Sequence, residues 1–152
     1  MEAEEESVIK NGYSSPEIAN IIYTSGTTGK PIGGEVLSDT HVSLFKKRNN
    51  NVKLINGYGP TENTTFTTTY EIPENFDSIP IGKPINNTQV FIVRDGKLCG
   101  IKVPGELWVA GSGVAKGYLN FPLLTKEKFL KNPFGDGIVY RTGDMGYWEK
   151  VE

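Results

Sequence analysis

The chain of 152 residues has very few of the residues that build redox and metal centres. It contains one cysteine, Cys99, and one histidine, His41. A single cysteine excludes an internal disulfide, and the two residues are too few for a Cys/His zinc cage. The same scarcity gives no support to a Ser-His-Asp triad, so we interpret His41 as a structural residue. Function must therefore depend on other residue types.

An excess of positive charge and long apolar runs are also missing. The chain has 16 basic and 18 acidic residues, for a net charge of −2. A mildly acidic protein is a poor candidate for non-specific nucleic-acid binding, and no apolar run is long enough to span a bilayer. The first residues are acidic (Glu2, Glu4, Glu5 and Glu6), which is the wrong sign for a targeting leader. We expect a soluble, cytoplasmic protein that contacts neither nucleic acid nor membrane.

The length and composition predict one globular domain that can bury a core without disulfide bonds or structural metal ions. In its front part, the apolar run 19–23 predicts a buried strand and 52–55 predicts a second one. Between them, Ser38 is a suitable N-cap, and Leu44 and Phe45 belong to an apolar set with helical spacing. These elements predict an α/β arrangement for the front part of the chain.

The back part of the chain is predicted to consist mainly of strands. Strands are predicted at 64–70, 106–110 and 138–140, and a hairpin is predicted around Asp95-Gly96. A brief helix is predicted near Thr125, and aromatic residues such as Trp108 and Tyr118 are interpreted as packing residues. This composition is typical of a β-rich, barrel-like fold.

A loop of hydroxyls and glycines, 24–30, follows the first strand. Its glycines allow backbone N–H groups to converge, and Lys30 adds a cation, so the loop suits a polyphosphate. It is not a Walker A loop, because Thr24 stands in place of the first glycine and Pro31 follows the lysine. The alternative is an ordinary loop between two strands.

Four segments in order carry a family resemblance. Residues 23–31, with the sequence YTSGTTGKP, resemble the signature loop of the adenylate-forming, AMP-binding superfamily. Residues 56–62, 105–119 and 140–144 resemble its later motifs, in the family's order. The chain most resembles the amino-acid adenylation domains of non-ribosomal peptide synthetases. An acyl-CoA ligase, from another branch of the superfamily, is a weaker alternative.

The resemblance implies that ATP and an amino acid form an aminoacyl-adenylate and pyrophosphate. The acyl group then passes to the phosphopantetheine of a carrier protein. ATP and Mg²⁺ are the implied cofactors, and the amino acid and the carrier are the implied partners. The implied fold is a front part that is the remnant of a flavodoxin-like sheet with few helices, followed by the barrel-like back part.

The resemblance also implies residue roles. Thr61 would donate to the α-phosphate, Glu62 would hold Mg²⁺, and Asp144 would bind the ribose hydroxyls. Tyr58 would stack on adenine, although a core tyrosine at a strand end is an equal alternative. The nucleotide site as a whole comprises Thr24, Ser25, Gly26, Thr27, Thr28, Gly29, Lys30, Gly33, Gly34, Glu35, Tyr58, Gly59 and Asp144. The substrate pocket comprises Gly57, Thr65 and Phe66, of which Phe66 equally suits a core position.

The chain departs from the family pattern in its spacing. Pro31-Ile32 runs directly into Gly33-Gly34-Glu35, which in relatives lies beyond a stretch the size of a small domain. We therefore expect an engineered or natural internal deletion near Ile32. In relatives that stretch holds the aspartate that grips the substrate ammonium group, so we expect this aspartate to be absent. We also expect no small C-terminal domain, and hence no catalytic lysine.

The predicted organisation has three parts. Residues 1–16 form a flexible N-terminal segment, 17–72 form the remnant of the α/β nucleotide-binding subdomain, and 73–152 form the barrel-like subdomain. We expect exposed apolar surface to favour self-association. Two functions stay open: a minimised adenylate-forming ligase, and a non-catalytic subdomain that folds and at most binds nucleotide.

Overall fold

A computed structural model describes residues 18–21, 38–48, 52–64 and 66–150; for 18–21 it describes the backbone. The elements in chain order are β1 (Ile18–Ile21), α1 (Asp39–Arg48), β2 (Ile55–Tyr58), a 3-10 turn (Thr61–Asn63), β3 (Thr68–Glu71), β4 (Lys83–Pro84), β5 (Thr88–Arg94), β6 (Lys97–Leu98), β7 (Gly105–Gly111), α2 (Pro122–Lys128), β8 (Phe129–Lys131) and β9 (Ile138–Glu149).

Two antiparallel sheets organise these strands. One sheet has the order β1-β9-β7-β5-β6, with β8 also paired to β9, and the other has the order β2-β3-β4. The expectation of few helices and many strands is confirmed within the described ranges. The ladders by themselves define neither a flavodoxin-like sheet nor a closed barrel. No helix in the described ranges is both long enough and apolar enough to cross a membrane.

Sheet pairing connects the predicted front and back parts. Strand β1 pairs with β9, so that Ile18 lies opposite Glu149. Strand β3 pairs with β4, so that Thr69 lies opposite Lys83. Both ladders cross the predicted boundary between residues 72 and 73, and that division into subdomains stays a prediction.

The large sheet is covered on both faces. Along β7, Leu107 and Val109 belong to one buried cluster, whereas Trp108 and Ala110 belong to the other. Successive side chains of a strand point to opposite faces, so a strand that is apolar at both sets of positions must be buried on both sides. Tyr58 joins the first cluster and attaches the end of β2 to this core.

The hairpin and the first helix were predicted from local patterns, and both are present. Asp95 and Gly96 have φ angles of 52° and 72°, which suit the tight turn that joins β5 to β6. Helix α1 buries Val42 and Lys46, whereas Leu44 and Phe45, which helped to predict it, are exposed. The buried ammonium group of Lys46 donates a hydrogen bond of 2.6 Å to the carbonyl of Ile72, which compensates for part of the cost of burying a charge.

Three strand boundaries differ clearly from the prediction. The strand predicted at 64–70 lies at Thr68–Glu71. The second strand lies at Ile55–Tyr58 and not at 52–55, because its partner residues in β3 are 68–71. The last strand has 12 residues and not three. Its polar middle contains no apolar alternation, so only the ladders with β7 and β1 reveal its length.

Candidate functional site

Thr61 and Glu62 lie on a short turn between β2 and β3. Pro60 precedes the turn with a φ of −69°, and the Asn63 amide donates to the Pro60 carbonyl at 3.0 Å. The Thr67 amide donates to the Tyr58 carbonyl at 2.7 Å and closes the excursion where the two strands meet. The turn therefore projects from the end of a ladder, which is a rigid support for a site.

Glycines allow the two arms of this excursion to approach each other. A Cβ on Gly59 would lie 2.8 Å from the backbone of Phe66 and Thr67, so any side chain would separate the arms. A Cβ on Gly57 would lie 2.6 Å from the Phe66 ring. The structure thus brings together two of the three predicted pocket residues. The Phe66 ring is 47% exposed, so it is not the simple core residue of the alternative interpretation.

A buried asparagine supports the turn from below. Asn63 is 1% exposed, and its Nδ2 donates to Thr67 Oγ1 at 2.9 Å. Its Oδ1 has no hydrogen-bond partner among the described residues and lies beside Gly113, where an added Cβ would be 2.9 Å away. Asn63 is not among the residues predicted from the sequence, although its position directly after Glu62 was a signal.

The segment after β7 docks onto the same turn. The Ala115 amide donates to the Glu62 carbonyl at 2.8 Å, and Thr64 Oγ1 donates to the Gly113 carbonyl at 2.9 Å. These contacts join motif 105–119 to motif 56–62, which are distant in sequence. The backbone that carries Glu62 is therefore held from both sides.

The Glu62 carboxylate accepts a hydrogen bond from a tyrosine. Tyr118 Oη lies 2.7 Å from Glu62 Oε1 and 3.4 Å from Tyr140 Oη. Burial, and then the hydrogen bond to Glu62, raise the pKa of Tyr118. Burial, and then the contact with Tyr118, raise the pKa of Tyr140. The interpretation of Tyr118 as a packing residue misses this polar role, because its partner is 56 residues away.

The second motif carboxylate also accepts a hydrogen bond from a tyrosine. Tyr58 Oη donates to Asp144 Oδ2 at 2.5 Å. Between Glu106 and Trp108 the register of β7 with β9 shifts, and Gly143 has a φ of 84° at this bulge. Inside the bulge, Thr142 Oγ1 accepts from the Asp144 amide at 2.9 Å. The irregularity of the strand thus accompanies the placement of Asp144 beside β2.

The ring of Tyr58 belongs to the core. The residue is 8% exposed and packs in the cluster that includes Ile92, Leu107 and Trp148. This placement fits the interpretation of Tyr58 as a core tyrosine at a strand end. Stacking of the ring on adenine stays a prediction.

An ion pair stabilises the bulge next to Asp144. Arg141 Nη2 lies 2.8 Å from Glu106 Oε2, and its guanidinium lies 5.4 Å from the centroid of the Trp108 ring. The Gly143 amide donates to the other Glu106 oxygen at 3.2 Å. Glu106, near the start of motif 105–119, therefore holds the backbone of motif 140–144.

The donor set around Glu62 fits a cation that a nucleotide brings with it. Among the described residues, no group of three or more His, Cys, Asp or Glu side chains could form a complete metal cage. Mg²⁺ is usually bound by one or two carboxylates together with substrate phosphates and water. Glu62 is only partly buried, so its single carboxylate can take this part.

Several predicted site residues lie outside the described residues. These are Thr24, Ser25, Gly26, Thr27, Thr28, Gly29, Lys30, Gly33, Gly34, Glu35 and Thr65. The expected junction at Ile32 and the N-terminal segment 1–16 also lie there. Their roles stay predictions from the sequence.

Comparison with known proteins agrees with this arrangement of motifs. The model of the family described as "AMP-binding enzyme" matches residues 32–119, which is more than half of the chain. The chain belongs to this family. The match covers Thr61 and Glu62 and the segment that carries Tyr118.

The similar curated proteins are peptide synthetases. Over 120 residues, or 77% of the chain, the identity is 52% to gramicidin S synthase 2 of Brevibacillus brevis and 53% to tyrocidine synthase 3 of Brevibacillus parabrevis. The chain spans only 3% and 2% of the lengths of these two relatives. The resemblance to peptide-synthetase adenylation domains is thereby confirmed.

Solved structures show the same relationship. PA1221, an NRPS protein containing adenylation and PCP domains, is 36% identical with a TM-score of 0.70 over 76% of this chain and 25% of its own. The N-terminal subdomain of Klebsiella oxytoca NpsA, in complex with 3-hydroxybenzoyl-AMSN, is 30% identical with a TM-score of 0.69 over 76% of this chain and 30% of its own. The described fold therefore corresponds to part of an adenylation domain.

Proposed function

We propose that the chain is part of an amino-acid-activating adenylation domain and contributes the nucleotide-binding side of its site. In the reaction, a carboxylate oxygen of the amino acid attacks the α-phosphorus of ATP. The bond from that phosphorus to the bridging oxygen breaks, and pyrophosphate leaves with the bond's electron pair. The products are an aminoacyl-adenylate and pyrophosphate.

The observation that carries this proposal is the hydrogen bond of 2.5 Å between Tyr58 and Asp144. It brings motif 140–144 against the end of β2, from which the turn bearing Thr61 and Glu62 projects. A ribose-binding carboxylate and a phosphate-facing turn must lie on one surface to bind one nucleotide. The contact provides this proximity although the residues are 86 positions apart.

Each motif residue has a part in that complex. Thr61 is exposed on its turn and would donate its hydroxyl to the α-phosphate. Asp144 would accept from the ribose hydroxyls while the Tyr58 hydroxyl keeps its carboxylate in place. Gly57 and Phe66 would form one wall of the amino-acid pocket, to which the sequence motif also assigns Thr65.

ATP and Mg²⁺ are the cofactors that this proposal requires. When bound, Mg²⁺ supplies positive charge to the phosphates, which stabilises the charge that develops on them in the transition state. Glu62 would hold the ion through a carboxylate oxygen. The loop 24–30 would surround the phosphates with hydroxyl and amide donors.

The partners and the finer architecture follow from the same family. PA1221 contains a PCP domain beside its adenylation domain, which suggests that a carrier's phosphopantetheine accepts the acyl group. We infer that 17–72 is the remnant of the nucleotide-binding α/β subdomain and that 73–152 is the barrel-like one. The family match begins at Ile32, which is the position of the inferred internal deletion.

A second candidate is a subdomain that folds and binds nucleotide without catalysis. The observation that favours it is that the two long-range side-chain contacts, Tyr58 with Asp144 and Tyr118 with Glu62, join residues assigned to the nucleotide side of the site.

Amino-acid-dependent exchange of pyrophosphate into ATP tests the first candidate. We expect exchange by the 152-residue chain above that of Glu62→Ala and Asp144→Ala variants. Thermal unfolding with and without ATP, in the presence of Mg²⁺, tests the second. An ATP-dependent rise in melting temperature that Asp144→Ala abolishes, without exchange, would favour the binding subdomain. Absence of both effects contradicts both candidates.

A further inference from the structure

The carboxylate that the proposed function assigns to the cation is not free to rotate. Glu62 Oε1 accepts from Tyr118 Oη at 2.7 Å, while the Glu62 carbonyl accepts from the Ala115 amide at 2.8 Å. Backbone and side chain are thus both held by one segment, 113–118. A carboxylate with a fixed donor on one oxygen is oriented before any ligand arrives.

The tyrosine itself is held in place by the following helix. The Tyr118 amide donates to Thr125 Oγ1 at 2.9 Å. The Thr125 hydroxyl in turn donates to the Tyr118 carbonyl at 3.4 Å. Gly117 makes this clamp possible: it has a φ of 142°, and a Cβ there would lie 2.3 Å from Thr125 Cγ2. The backbone of Tyr118 is therefore fixed by contacts that do not involve Glu62.

Two aromatic neighbours fix the ring and its hydroxyl. The ring of Phe129 lies edge-on to Tyr118 with the centroids 5.4 Å apart, and it also contacts Tyr140 at 5.0 Å. Tyr140 is 5% exposed, and its hydroxyl lies 3.4 Å from that of Tyr118. The Tyr118 hydroxyl thus has a defined position between an aromatic wall and Glu62.

We propose that Tyr118 is a positioning residue: its hydroxyl holds Glu62 by Oε1, so that Oε2 is presented in a fixed orientation to a divalent cation carried by the nucleotide. This inference depends on the proposed function, because it concerns the cation that accompanies ATP. It adds a polar role for a residue of motif 105–119. It also explains why that segment contacts the turn through both backbone and side chain.

Calorimetric titration of ATP at a series of Mg²⁺ concentrations tests this role in Tyr118→Phe, which keeps the ring and loses the hydroxyl. Mg²⁺ should increase the affinity for ATP, and one Mg²⁺ concentration gives half of the maximal increase. We expect this concentration to be about tenfold higher, or more, in Tyr118→Phe than in the wild type. ATP affinity without Mg²⁺ should stay unchanged. A purely structural defect would instead weaken binding equally with and without the ion.

Tyr70→Phe is the matched control. Tyr70 is likewise partly buried, and no hydrogen bond of its hydroxyl occurs in the described part of the chain. We expect this variant to behave as the wild type. If the wild-type chain shows no effect of Mg²⁺, the proposed function fails and the inference fails with it. If the wild type shows the effect and Tyr118→Phe retains it at full strength, the inference alone is overturned.

Discussion

The bond between Tyr58 and Asp144 can be measured by a double-mutant cycle. The perturbations are Tyr58→Phe, Asp144→Asn and the two together. Tyr58→Phe keeps the ring in the cluster with Ile92, Leu107 and Trp148, so it leaves no cavity. The change is therefore confined to the hydroxyl group and the interactions that it makes.

The expected magnitude follows from the charge and burial of the pair. A hydrogen bond to a charged group contributes about 1.5–3 kcal/mol, and we take the low end because Asp144 is only partly buried. We expect a coupling free energy of about 1.5 kcal/mol from urea unfolding of the four proteins. The cycle is needed because each single variant also alters interactions outside the pair.

The reasoning is refuted if the two effects add within about 0.3 kcal/mol, the range seen for independent sites. Affinity for ATP provides a second readout of the same cycle. Tyr58→Phe should weaken ATP binding when the carboxylate of Asp144 is present and have little effect when it is combined with Asp144→Asn. Equal weakening in both cases would favour direct contact of the Tyr58 hydroxyl with the nucleotide.

Two further predictions concern the framework of the site. Gly59→Ala places a Cβ 2.8 Å from the backbone of Phe66 and Thr67, so we expect the free energy of unfolding in urea to fall by about 2 kcal/mol. Gly96→Ala is the control: Gly96 has open space around it but a φ of 72°, so the free energy of unfolding should fall by only about 1 kcal/mol. Tyr140 has a raised pKa in the folded state, so its contribution to stability is complete below the ordinary value of 10.0 and declines as the pH rises above it. Unfolding free energies across this alkaline range should therefore fall less steeply for Tyr140→Phe than for the wild type, and equal slopes would contradict the assignment.

Local patterns were sufficient for elements whose cause is local. The turn at Asp95-Gly96 was predictable because two adjacent residues tolerate positive φ angles. Helix α1 was predictable from its spacing and from Ser38, although its buried face was not. Lys46 is buried where the Ile72 carbonyl, 26 residues away, accepts from its ammonium group and Glu74 Oε1 lies 3.8 Å from it.

In the candidate site, too, some residues could be predicted from local sequence and others only from the folded chain. The sequence predicted Thr61, Glu62 and Asp144 as candidate site residues because each lies in a contiguous motif with a recognisable order. It did not identify Asn63 as a buried support or Tyr118 as a hydrogen-bond donor. Neither role is visible until the turn and the segment after β7 are in contact.

The order of amino acids was enough to establish the family, the succession of motifs and the kinds of chemical group that these motifs contain. These depend on contiguous residues and on local backbone preferences, which a single chain displays directly. The folded chain was needed to show which groups meet: Tyr58 with Asp144, and Tyr118 with Glu62. Side-chain contacts over 86 and 56 positions depend on strand register and on a bulge in β9, and neither is encoded in any short segment.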